Sequence, residues 1–171
     1  ATADLRQAIA ATAAPGSRWP GELLEWYAGD GWTVDRAHRR FEIACNQLRV
    51  HGQLEPAFAD ARVAYEEWLD ATLLGFTTAI ERNGFDVDSL ARQGEIHARW
   101  VRDAAGPVAY VWVDALRYEL GTDLAEGLRA DGHGTELHAA VAAVPTITPV
   151  GMANLTPDAA SGLALKLSEG N

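Results

Sequence analysis

The feature that most constrains this chain is a change of hydrophobic period at Gly106 and Pro107. Ahead of it, apolar residues recur every three or four positions, the spacing of one helix face. Behind it stands Val-Ala-Tyr-Val-Trp-Val, residues 108–113, a continuous apolar run rich in β-branched and aromatic side chains. Such a run suits a short strand covered on both faces, as in a parallel sheet. The chain therefore reads as a helical region over 1–106 followed by the start of an α/β domain over 107–171. With 171 residues, 48% of them hydrophobic, it can bury a core, and a wholly disordered chain is excluded.

Within the first region, an alanine-rich helix is expected over 3–14, stopped by Pro15 and Gly16, and a short helix after Pro20. Thr33 is placed to cap a helix whose Val34, Ala37, Phe41, Ala44 and Leu48 form one stripe, with Gly52 as its stop. The strongest pattern runs over 56–82, with Phe58, Ala61, Tyr65, Leu69, Thr72, Phe76 and Ile80 on one face and Gly84 beyond the end. Its length suggests a long hairpin arm. Asp88 or Ser89 starts a further helix carrying Ile96, Trp100 and Val101. Past the strand at 108–113, Leu116, Leu120, Leu124 and Leu128 repeat at four-residue spacing, a helix expected to pack back on the sheet. A second strand over 135–141 completes a βαβ unit with a right-handed crossover.

Charge limits the partners. The net charge of −10 is spread over both regions, so no basic face for duplex nucleic acid or anionic lipid is offered. A phosphate ester is still an admissible substrate, because a metal ion supplies positive charge that composition does not count. Cys45 is the only cysteine, which excludes an intrachain disulfide and a thiolate cluster and fits a reducing, cytoplasmic setting. No apolar run approaches the roughly 20 residues that span a bilayer.

In open parallel sheets, ligands gather beyond the carboxyl ends of strands. Two segments meet that description here: Asp114 directly after the apolar run, and Pro-Thr-Ile-Thr-Pro, residues 145–149, with Thr146 and Thr148 just before a helix that has Pro149 in its first turn. A right-handed crossover brings both to one sheet edge. A threonine hydroxyl is a weak nucleophile and needs a base or a divalent metal to attack phosphorus; Asp114 is suited to hold that metal, and the amides of the helix after Thr148 to meet a phosphoryl oxygen. The same two residues equally suit plain helix caps. Arg117 is in reach of a phosphate or, two residues from Glu119, of an ion pair. His133 and His138 fall on opposite faces of a regular strand, and the six tryptophans have no regular spacing, so packing or solvated roles are expected for these, as for His97.

Tyr-Val-Trp-Val-Asp-Ala-Leu-Arg-Tyr-Glu over 110–119, followed after a helix by Ala-Val-Pro-Thr-Ile-Thr-Pro-Val-Gly-Met over 143–152, resembles the opening of a PglZ domain. These domains occur in bacterial phage-defence systems of the phage growth limitation and BREX types and belong to the alkaline phosphatase superfamily. The resemblance spans about 108–157, and residues 54–100 look like the region that precedes such a domain. It implies a metal-dependent phosphatase or phosphodiesterase with Thr148 as nucleophile, Thr146 as the competing hydroxyl and Asp114 as a metal ligand. It also implies a divalent cofactor, zinc or manganese, a phosphate-ester substrate, and other defence proteins as partners, among them the system's methyltransferase.

Superfamily members complete a two-metal centre with later aspartates and histidines, whereas only Asp158 and Glu169 follow Thr148 here as carboxylates, and no histidine does. With Ala1 at its start, the chain is expected to be a fragment that binds metal weakly, turns over no substrate by itself, and leaves 161–171 disordered or mispaired. A non-catalytic scaffold whose long helices dock other defence proteins is the alternative. A doubly wound nucleotide-binding domain is disfavoured, because no glycine-rich loop follows Val113.

Overall fold

The computed structural model describes residues 1–16, 19–48, 52, 54–85 and 87–162; the expectation for the chain's last residues lies outside these from 163 onward. The chain divides into two compact units, one of residues 1–89 with 117–137, the other of residues 90–116 with 138–171. The division does not fall at 106–107. Most of the described chain is helical, with a small two-stranded parallel sheet toward the C-terminal part.

The first unit is helix on helix. It contains α1 (Thr2–Ala11), α2 (Pro20–Trp26), α3 (Trp32–Gln47), α4 (Glu55–Asn83) and α5 (Tyr118–Ala130). Its core joins Leu5, Val34, Phe41, Cys45, Phe58, Ala61 and Trp68, the residues that the helical period aligns on α1, α3 and α4. Phe41 is wholly buried, so its truncation to alanine is expected to cost about 3–5 kcal/mol. Burial also pushes the Cys45 thiol up, as suits an inert packing residue. The Trp68 indole N–H donates to the Thr12 carbonyl at 2.9 Å and so ties α4 to the end of α1. Between α3 and α4, Arg62 grips Glu42 through two nitrogens, at 2.7 and 3.1 Å. Gly84, at φ 71°, closes α4 with its N–H on the Ile80 carbonyl, a conformation that favours glycine.

Four expectations drawn from the helical period are corrected, three in this unit and one just beyond it. Thr33 caps nothing: α2 runs into α3 through a π-helical turn, Tyr27–Gly31, and the Thr33 hydroxyl donates back to the Asp30 carbonyl at 2.7 Å. Gly31 makes that continuity possible, since a Cβ there would sit 3.1 Å from both the Trp26 and Tyr27 rings. Nor is α4 a projecting arm, because it packs on α1, α2 and α3. The third correction concerns α5, which packs on α3 instead of forming the crossover layer of a βαβ unit. Its leucine stripe is turned outward at Leu124 and Leu128, while Glu119, Thr122 and Ala125 are buried. The fourth concerns the residues after Ser89. The chain makes a two-residue strand, β1 (Ala91–Arg92), before a 3-10 turn (Gln93–Glu95) and a π-helical turn (His97–Val101), so the helix expected from Asp88 is interrupted at its start.

The second unit contains β1, β2 (Ala140–Val141) and α6 (Thr148–Asn154). β1 and β2 pair in parallel, Ala91 opposite Ala140 and Arg92 opposite Val141. The strand expected at 108–113 is not formed among the described residues, and of the strand expected over 135–141 only its last two residues pair. Val108, Val111 and Val113 are 51%, 74% and 51% exposed, so the run has the composition of a covered strand with no ladder partner beside it to satisfy its amides. Ala91, Val150 and Ala159 are the buried apolar residues among those described in this unit.

Candidate active site

Asp114 and Thr148 both belong to the second unit and meet there. Asp114 follows the exposed apolar run, and its Oδ1 accepts the N–H of Ala115 at 2.9 Å. Ala115 has φ 54°, the left-handed region that an alanine rarely adopts, so the backbone reverses directly behind the carboxylate. Thr148 opens α6 behind Ile147, with Pro149 in the first turn, where its missing N–H leaves no bond unmade. The approach to α6 is tight: the Val144–Pro145 peptide is cis and the Ile147 N–H donates to the Pro145 carbonyl at 2.8 Å. The Thr148 hydroxyl lies 3.4 and 3.3 Å from Asp114 Oδ1 and Oδ2, and both residues are exposed. Thr146, also exposed, has no hydrogen-bond partner for its hydroxyl among the described residues.

The residue that holds this arrangement is Gln93, which the sequence pattern leaves unmarked. Its Oε1 accepts the Ala143 N–H at 3.0 Å and its Nε2 donates to the Gly151 carbonyl at 3.1 Å. One side-chain amide thus staples both ends of the loop that carries Thr146 and Thr148. Gly94 sits beside it in close packing, where a Cβ would meet the Ala159 carbonyl oxygen and Asn154 Oδ1 at 3.4 Å each. Arg117, offered above as a phosphate contact, belongs to the other unit and donates to Glu119 at 2.7 Å, the ion-pair role weighed against it. His133 is exposed, His138 stacks on Trp100 with centroids 4.8 Å apart, and His97 lies 5.8 Å from the Tyr110 ring. Among the described residues the His97 Nδ1 and the Tyr110 hydroxyl are buried without a hydrogen-bond partner, and burial pushes the Tyr110 hydroxyl up.

Chemically, the pair sets a hydroxyl O–H within reach of a carboxylate, an acceptor. Two oxygen atoms converging within 3.4 Å suit a hard divalent ion as far as they go. The donor set is incomplete, because no group of three or more histidine, cysteine, aspartate or glutamate side chains able to hold a metal occurs among the described residues. No helix of the described residues is long and apolar enough to cross a membrane. Comparison with protein-family models, with curated proteins and with solved structures finds no match.

Proposed function

We propose that this chain carries the nucleophile segment of a metal-dependent phosphohydrolase of the PglZ type, with Thr148 as the attacking hydroxyl and Asp114 as its partner. The observation that supports this reading is the approach of the Thr148 hydroxyl to both Asp114 oxygens, while Thr146 has no such neighbour. In the first half-reaction the Thr148 oxygen bonds to phosphorus, its proton passes to the Asp114 carboxylate, and the ester oxygen departs and takes a proton from water. In the second, water attacks the phosphothreonine phosphorus, the Thr148 oxygen leaves and takes back the proton held by Asp114, and the proton given up by the attacking water neutralises the hydroxide left by the first step. A divalent ion, zinc or manganese, would have Asp114 among its ligands together with groups beyond those described, and would stabilise the alkoxide. The setting in phage defence and the methyltransferase partner rest on the two motifs alone, and the cytoplasmic location on the single cysteine, Cys45.

The test is hydrolysis of an aryl phosphate monoester and diester by the intact gene product with zinc or manganese added. Thr148→Ala is expected to abolish turnover and Thr146→Ala to leave most of it, with a phosphoryl group recovered on Thr148 by mass spectrometry after acid quench. Turnover unaffected by Thr148→Ala refutes the assignment. A second reading, a docking scaffold, draws on Val63, Leu73 and Leu74, which α4 leaves 50%, 52% and 69% exposed. It is the reading to adopt if the intact product hydrolyses neither ester.

A further inference from the structure

The helical unit holds a cavity of about 230 Å³ between α2, α3 and α4, remote in sequence from Asp114 and Thr148. Its walls are apolar and aromatic, with Leu23, Trp26, Tyr27, Trp68 and Phe76 among them, and they include one carboxylate, Asp35. Asp35 accepts hydrogen bonds from two neutral donors, the Tyr27 hydroxyl and the Tyr65 hydroxyl at 2.8 Å. A carboxylate offers about four lone-pair positions, so two remain for a further donor. The Thr72 hydroxyl, another polar group of the wall, is spent on the Trp68 carbonyl at 2.8 Å.

Asp35 is ion-paired with no lysine, arginine or histidine among the described residues. His38, stacked on Tyr65 with centroids 3.7 Å apart, is held below its ordinary value by burial, which outweighs Glu42 and Asp35, and so is neutral at pH 7. Arg117, the guanidinium whose charge reaches the Tyr27 and Tyr65 hydroxyls, is committed to Glu119 at 2.7 Å. A carboxylate in an apolar wall without a counter-ion attracts a cation far more strongly than the same group in water. The faces of tryptophan and tyrosine rings favour a cation as well. The volume lies below the roughly 300–1,000 Å³ of sites for drug-sized ligands, which limits the occupant to one small molecule.

We propose that this cavity is a binding site for a small organic cation, an ammonium group carried on an apolar or aromatic body, with Asp35 as its counter-charge. The inference is independent of the phosphohydrolase reading. The probe is phenethylammonium, titrated into the full chain labelled with ¹⁵N and followed at the indole N–H signals of Trp26 and Trp68. Saturable shifts are expected, with an affinity about tenfold above that of 2-phenylethanol, the ratio by which a charge-assisted contact exceeds a neutral one. Asp35→Asn is expected to bring the two probes to equal affinity. Because that variant also disturbs two tyrosine hydrogen bonds, Leu73→Lys is the second: Leu73 lines the cavity and is 52% exposed, so a lysine there supplies a competing ammonium at little cost to folding. It is expected to weaken phenethylammonium at least tenfold. No saturable shift, equal affinity of the two probes for the unaltered chain, or ammonium binding unchanged in Leu73→Lys each overturns the proposal.

Discussion

Replacing Glu119 with glutamine tests the most unusual joint in the molecule. Glu119 is fully buried at 0% exposure, yet it lies near the start of a helix whose Leu124 and Leu128 face outward. Its Oε2 accepts from Arg39 Nε at 2.9 Å and its Oε1 from Arg117 Nη2 at 2.7 Å. Around it, Arg39 also pairs with Asp123, and Arg36 reaches Glu126 at 3.1 Å. Electrostatic contacts, more than apolar ones, therefore fasten α5 to α3. Each hydrogen bond to a charged group contributes about 1.5–3 kcal/mol when buried. The Arg117 side chain is 55% exposed, so solvent screens most of its share and the Arg39 contact dominates. In Glu119→Gln, the amide oxygen still accepts one neutral bond while its NH₂ opposes a guanidinium donor, giving a net loss of about 2–3 kcal/mol. Urea unfolding followed by tryptophan fluorescence measures it by linear extrapolation. A double-mutant cycle with Arg39→Met is expected to show a coupling above about 1 kcal/mol that survives 0.5 M salt. A loss below about 0.5 kcal/mol, or a coupling that salt removes, would refute the claim that a buried ion pair seats α5.

Three further outcomes are expected. Gln93→Leu leaves the Ala143 N–H and Gly151 carbonyl without their partner, so stability should fall by about 1–3 kcal/mol and amide exchange over 143–151 should quicken; unchanged exchange there contradicts the staple. Ala115→Gly relieves a left-handed alanine that costs about 1–2 kcal/mol and adds back about 0.4–1 kcal/mol of unfolded-chain entropy, so the urea midpoint should rise slightly, and a lower midpoint counts against the φ of 54°. Stability should also fall in two stages on acidification. His38 is lowered by burial, so its contribution is full above about pH 6.5 and is lost as pH falls below that value. Glu42 is lowered by the hydrogen bonds of Arg62, and Asp123, although burial raises it, is lowered on balance by Arg39 and Arg36; their contribution is full above about pH 4 and is lost below. His38→Phe, which keeps a ring against Tyr65, should erase the first stage in urea midpoints taken across pH, and a first stage that persists assigns it elsewhere.

The helices of the first unit were legible because each buries a stripe whose period is written locally. Phe58 and Ala61 on α4, and Val34 and Phe41 on α3, lie in the core where three-to-four spacing puts them. The same rule misled at α5. Period tells which side chains share a face but not which face is covered, and Arg36, Arg39 and Arg40 on α3 draw the acidic side of α5 inward. The strands failed for a related reason. β1 exists only through its register with Ala140 and Val141, nearly fifty residues on, so Ala91 and Arg92 carry no local strand signal. Conversely, residues 108–113 have every local strand signal and no ladder.

The candidate site divides in the same way. Asp114 and Thr148 were legible because reactive side chains stand directly after an apolar run and directly before a proline-initiated helix. Their approach to 3.3 Å does not depend on the strand that was to deliver one of them, since residues 108–113 form none. The delivery falls instead to backbone contacts: the reversal at Ala115 turns the chain behind Asp114, and the Gln93 amide fixes the loop ahead of α6. Neither leaves a mark in the sequence. Alanine is among the less expected residues at positive φ, and a glutamine that binds two backbone groups needs no partner side chain at a recognisable spacing. The candidate side chains were thus readable from residue type, whereas their geometry depended on hydrogen bonds to the main chain, which any sequence offers at nearly every position.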